Sequence, residues 1–211
     1  MVKVKFCGIT RREDIDQAIA LGADAIGFNF FAGSPRAVTV IEAVDLAQAI
    51  PPSIWKVGVF VNQTRAEIKD AIAKVKLDFL QFHGDEEPEF CRSFDQMRII
   101  RAVRLGGGNE ASQLQQAMQV AEYILFDRHH RTQFGGTGEA VGDDLLGEAF
   151  GMVPKERVIL AGGLTPENVA EKVRRFCPFG VDVASGVEEA PGRKSAQRMA
   201  AFMQNAREAS V

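Results

Sequence analysis

The sequence is poor in the residues that build disulfide frameworks and metal centres. Three cysteines, Cys7, Cys91 and Cys177, occur in 211 residues. Their odd number and wide spacing leave no C-x-x-C pair, which fits a chain kept in a reducing cytoplasm. Histidines also number three, and the adjacent His129-His130 has no third ligand at metal spacing, so that pair reads as solvated loop and no metal is expected. No basic run or stripe accompanies the net charge of −3, which argues against a nucleic-acid-binding surface. No window of about 18 uncharged apolar residues exists, so no membrane span is expected. Lys3 and Lys5 stand where a secretory signal would need an apolar stretch. A dinucleotide-binding G-x-G-x-x-G is missing too: Cys7-Gly8-Ile9-Thr10 follows the first apolar run instead.

What is present is an ordinary globular composition. Apolar residues make up 46% and charged residues 25%, close to the average for folded domains, which excludes disorder. A single domain over residues 1–211 is expected, since length suits one domain and no linker or composition break interrupts it. Short apolar runs alternate with amphipathic segments throughout. Strands are expected over Val2–Cys7, Ala25–Asn29, Trp55–Val61, Asp78–Phe82, Ile99–Val103, Tyr123–Asp127, Arg157–Ala161 and Gly180–Val183. Helices are expected over Arg12–Leu21, Ile41–Ile50, Thr64 to Val75, Glu86–Phe94, Glu110–Val120 and Asp143–Phe150, with one opened by Thr165-Pro166 and a last from Arg193 to Arg207. Eight strand–helix units imply a parallel sheet closed into a compact (β/α)₈ TIM barrel; an open doubly wound sheet is the alternative.

Chemistry in such a barrel sits at the C-terminal strand ends. Those ends carry Cys7-Gly8, Gln81-Phe82-His83-Gly84, Asp127, Ala161-Gly162-Gly163-Leu164 and Ala184-Ser185-Gly186, with Ser34-Pro35-Arg36 in the second loop. Gly162, Gly163, Ser185 and Gly186 fall after strands seven and eight, where backbone N–H groups often cradle a phosphate. The same glycines could equally serve as tight turns. Strand parity turns Lys3, Lys5 and Cys7 into the barrel and Val2, Val4 and Phe6 toward the helices. If unpaired, Lys5 would favour the Cys7 thiolate; if paired with Asp182 on the adjoining last strand, it would only brace the barrel. A lone cysteine is otherwise ordinary packing, and Cys91 and Cys177, away from strand tops, read as structural. Asp127 faces inward by parity, where desolvation suits a general acid, though it could instead cap a loop or pair with Arg128. His83 is either an ordinary loop histidine or part of the site. Arg36, in a flexible loop over the mouth, is a surface arginine or a fork for a substrate carboxylate.

The motifs also resemble a known family. Lys5-Phe6-Cys7-Gly8-Ile9-Thr10 with Glu13-Asp14, Gly22–Phe28, Ser34-Pro35-Arg36, Val57–Asn62, Gln81–Gly84, Phe134–Gly138, Leu160–Leu164 and Gly180–Glu188 follow in order. This set resembles the N-(5′-phosphoribosyl)anthranilate isomerases of tryptophan biosynthesis. The resemblance implies a cofactor-free barrel performing an Amadori rearrangement on a small phosphoribosyl substrate, as a monomer or homodimer. It implies Asp127 as general acid, Cys7 as general base, Arg36 as partner of the anthranilate carboxylate and Gly162, Gly163, Ser185 and Gly186 as phosphate cradle. His83 and Asp182 match polar positions of the site. Two departures touch loop closure and affinity: Glu139–Asp144 replaces a Phe-Asp-Trp-like stretch, and Ser195 stands where Pro-Gly-x-Lys-Asp has its Asp. Another phosphosugar barrel enzyme, or a barrel that binds a phosphometabolite without turnover, is the competing reading. A Schiff-base lysine is missing from the top of strand six, which counts against an aldolase-like enzyme.

Overall fold

A computed structural model describes residues 1–128 and 142–210. The readings placed on His129-His130, on Phe134–Gly138 and on the start of the Glu139–Asp144 replacement lie outside the described residues. Eight strands, β1 (Lys3–Cys7), β2 (Ala25–Asn29), β3 (Trp55–Phe60), β4 (Phe79–Phe82), β5 (Arg98–Leu105), β6 (Tyr123–Arg128), β7 (Val158–Leu160) and β8 (Gly180–Val183), pair in chain order and close into a barrel. Every neighbouring pair is parallel, and the ring shuts where Lys5 of β1 lies opposite Asp182 of β8. The open-sheet alternative is thereby removed. Helices α1 (Arg12–Ala20), α2 (Val40–Ala47), α3 (Arg65–Val75), α4 (Pro88–Arg92), α5 (Glu110–Val120), α6 (Asp143–Met152), α7 (Val169–Phe176) and α8 (Ala196–Glu208) supply the crossovers. Among the described residues, no helix is long and apolar enough to cross a membrane.

The period-2 alternation of each strand sorts its side chains into two cores. Outward residues such as Val4, Phe6, Ile26, Phe28, Leu80, Phe82, Ile124 and Phe126 pack with the helices into the larger one. Inward residues Ala25, Val57, Phe79, Ile100, Ala102, Leu125, Ile159 and Ala161 fill the barrel. At its floor Trp55, Tyr123 and Phe179 join them, with the Tyr123 and Phe179 rings stacked 4.3 Å apart. The Arg98 guanidinium lies 4.1 Å from the Phe79 ring and 4.9 Å from that of Trp55. That end of the barrel is thus plugged, leaving the C-terminal strand ends open for a site.

Local signals place most helix starts. Thr39 and Thr64 cap α2 and α3 in capping boxes with Glu42 and Glu67. Two starts differ from expectation by three residues. Thr165-Pro166 does not open α7: the Asn168 carboxamide accepts from the Thr165 N–H and donates to the Gly163 carbonyl, so the turn stays irregular until Val169. Such local side-chain bonds compete with helix. The last helix begins at Ala196 rather than Arg193, because Glu188–Ala190 (β9) and Arg193–Lys194 (β10) first form an antiparallel hairpin. Ser195 then caps α8. The departure from Asp at this position therefore still leaves a side-chain oxygen to cap the helix.

Candidate active site

A cavity of about 480 Å³ opens at the C-terminal strand ends, and Cys7, Arg36, His83, Asp127, Gly162, Gly163, Asp182, Ser185 and Gly186 all line it. One chain of polar contacts runs along its β4–β6 wall. Asp127 is 6% exposed; its Oδ2 lies 3.0 Å from His83 Nε2, and its Oδ1 accepts from the Arg128 N–H at 2.8 Å. On the far side of the imidazole, Gln81 Nε2 lies 3.0 Å from His83 Nδ1. Gln81 stood in the strand-end motif but drew no role there; its buried inward position is what brings it in.

The opposite wall is built by β1 and β8. Lys5 Nζ and Asp182 Oδ1 meet at 2.8 Å with both side chains buried. Of the two alternatives for Lys5, pairing with Asp182 is the one present: adjacent strands in register place the carboxylate nearer. Burial pushes the Cys7 thiol up, and the Asp182 carboxylate adds to this; Lys5 and Lys194 pull the other way without reversing it. Burial would lower the Lys5 ammonium, but Asp182 and the thiol override it and hold it above its ordinary value. The lone-cysteine contrast is sharp. Cys91, pushed up to about 11 by burial, points from α4 into the outer core, and exposed Cys177 ends α7 in a left-handed conformation.

Arg36 is not a loose surface fork. It is buried, and its Nε and Nη2 bind both oxygens of Glu188 at 2.8 and 2.7 Å. Lys194 completes the cluster, donating to Glu188 Oε1 at 2.9 Å and to the carbonyls of Cys7 and Ala184 at 2.7 and 3.1 Å. Burial lowers the Lys194 ammonium despite that carboxylate. Glu188 itself is held below the usual carboxylate range: Arg36 and Lys194 outweigh its burial. The β9–β10 hairpin brings these two residues under the mouth, a contact between distant segments that no periodicity announces.

The glycines divide. Gly162 has φ +74°, and a Cβ there would stand 2.9 Å from Asp127 Oδ1 and from the Arg128 nitrogen. Its bareness serves the carboxylate directly. At Gly186 a Cβ would overlap the Leu164 carbonyl oxygen at 1.8 Å, so the loops after β7 and β8 interlock through it. Among the described residues the N–H groups of Gly163, Leu164, Ser185 and Gly186 donate to no protein acceptor. Amides left open at the mouth of a barrel, two of them beginning the 3₁₀ turn Ser185–Val187, are the usual equipment for binding an anion.

Comparison with known proteins gives a consistent result. The family model described as N-(5′phosphoribosyl)anthranilate (PRA) isomerase matches residues 4–205. An N-(5′-phosphoribosyl)anthranilate isomerase from Nitrosococcus oceani is 45% identical over 201 residues, 95% of each chain. Among solved structures, a phosphoribosyl anthranilate isomerase from Thermus thermophilus superposes with TM-score 0.87 at 35% identity, covering 98% of this chain and 99% of that one. Another, in complex with reduced 1-(o-carboxyphenylamino)-1-deoxyribulose 5-phosphate, gives TM-score 0.81 at 34% identity over 99% and 100% of the two chains.

Proposed function

Because the chain belongs to the N-(5′-phosphoribosyl)anthranilate isomerase family, we propose how its own side chains divide the work of that family's reaction. The protein catalyses the Amadori rearrangement of N-(5-phosphoribosyl)anthranilate to 1-(2-carboxyphenylamino)-1-deoxyribulose 5-phosphate in tryptophan biosynthesis. The observation that carries the division of roles is the placement of the Asp127 carboxyl and the Cys7 thiol on different walls of a single cavity, each with its own set of partners.

Asp127 gives its proton to the furanose ring oxygen. The C1′–O bond breaks as the anilino nitrogen lone pair forms the Schiff base, and the carboxylate left behind accepts hydrogen bonds from His83 and the Arg128 N–H. Cys7, as thiolate, then takes the C2′ proton, and the enolamine relaxes to the ketone. Asp182 keeps Lys5 protonated next to the sulfur, so charge is available to the thiolate when it forms. The same pairing makes Lys5 a poor Schiff-base nucleophile, which disfavours the aldolase-like alternative. Glu188 fixes the plane of Arg36 through Nε and Nη2, and Nη1 remains for the anthranilate carboxylate. The open amides of Gly163, Leu164, Ser185 and Gly186 take the phosphate. Three free thiols suit a reducing compartment, and we place the enzyme in the cytoplasm.

Freshly formed phosphoribosylanthranilate, followed by loss of its fluorescence, tests the roles. Asp127→Asn and Cys7→Ala are each expected to lower kcat by about 10²–10⁴, the usual contribution of a general acid or base, with phosphate affinity nearly unchanged. Near-normal kcat in either variant would remove that residue from its role.

A further inference from the structure

Gln81 is 1% exposed inside the barrel and lines the catalytic cavity. Its Nε2 reaches His83 Nδ1, while its Oε1 is a buried oxygen without a hydrogen-bond partner among the described residues. An amide can exchange its two ends within one footprint, so which end faces Nδ1 follows from what Nδ1 needs. That need is set one residue further on. Whenever Asp127 is the carboxylate it can only accept, so the 3.0 Å contact of its Oδ2 then requires a proton on His83 Nε2. In a neutral imidazole Nδ1 is then bare and must be met by a donor, which only the nitrogen end of Gln81 provides.

The tautomer decides where the acid's proton sits. With Nε2–H donating to Oδ2 and the Arg128 N–H donating to Oδ1, one lone pair on each Asp127 oxygen is taken. A proton added to Asp127 occupies a remaining lone pair. The opposite tautomer would offer a bare Nε2, and a protonated Asp127 would donate to it rather than to the substrate. We infer that Gln81 is a positioning residue for the reaction: by donating to His83 Nδ1 it keeps the imidazole from capturing the proton that Asp127 must deliver to the ring oxygen. The unsatisfied Oε1 is what this arrangement costs. The inference rests on Asp127 acting as the acid.

Nitrogen-15 NMR of the intact protein with labelled histidine reads the tautomer without any turnover; the His83 signals are identified by their loss in His83→Asn. The wild-type protein is expected to show protonated Nε2 and bare Nδ1. Gln81→Met removes the donor at similar volume; it is expected to admit the Nδ1–H tautomer and to lower kcat about tenfold or more, part of what a general acid contributes, with KM within about twofold. A residue that merely packs would change melting temperature and leave the tautomer alone. An Nδ1–H tautomer in the wild type, or a Gln81→Met protein with His83 and kcat unmoved, would overturn the inference. Full turnover by Asp127→Asn alongside the expected wild-type tautomer would instead overturn the acid role and, with it, what Gln81 protects.

Discussion

A base whose proton affinity has been raised by burial is a strong base that is seldom free, and Cys7 is in that position. The thiolate is therefore the minor form near neutrality, and its share is expected to grow toward alkaline pH. The neighbours allow the sign of each contribution to be tested separately. Asp182 raises the thiol's pKa, and Lys5 lowers it. Asp182→Asn should thus move the pH midpoint of thiol alkylation by iodoacetamide downward, and Lys5→Met should move it upward, with the limb of the kcat/KM profile that reports the thiol following in each case. A melting-temperature loss with an unshifted thiol titration in both variants would leave the pair as a brace between β1 and β8 and nothing more.

Loops carry the next level of organisation, and the two adjacent glycines after β7 should separate by kinetic signature. Gly162→Ala strains a left-handed backbone and presses on Asp127 Oδ1, so kcat should fall, along with roughly 1–3 kcal/mol of stability for the backbone strain. Gly163→Ala, at φ +72°, obstructs the open amides; KM should rise more than kcat falls, and the increase in melting temperature given by inorganic phosphate should shrink. Identical signatures for the two would dissolve the division between acid support and phosphate cradle. These loops also mark how far the chain could be read unaided. Inward and outward sets of β1 and β6 follow from parity alone, which is why Cys7, Lys5 and Asp127 were legible. The Arg36–Glu188–Lys194 cluster was not, since residues 152 positions apart meet only because a two-stranded hairpin folds under the mouth. Nor was the late start of α7, where Asn168 outcompetes a Thr-Pro helix signal by bonding back into the loop.

Across the whole barrel, strength and chemistry occupy opposite ends. None of the floor aromatics Trp55, Phe79, Tyr123 and Phe179 lines the catalytic cavity. Phe179→Ala should cost about 2–4 kcal/mol through lost stacking and the void left behind, read as a lower denaturant midpoint. Its kcat at a temperature where it is folded should match the parent within about twofold. A large kcat loss in the folded variant would show that the floor shapes the mouth, contrary to the usual separation in this architecture.

The seam between β1 and β8 sets a timetable. Lys5 and Asp182 are 177 residues apart, and Lys194 reaches the Cys7 carbonyl across 187. During synthesis the first strand emerges with one edge bare and must wait for nearly the whole chain before that edge is covered. The electrostatic partners of the base thus come together only with the final closure, so a nascent chain that stops short of β8 lacks them. Arg207 donates to the Val2 carbonyl at 3.0 Å, so the two ends of the chain already lie side by side. A circular permutant that joins them and opens the chain elsewhere would make this seam the earliest contact formed rather than the last.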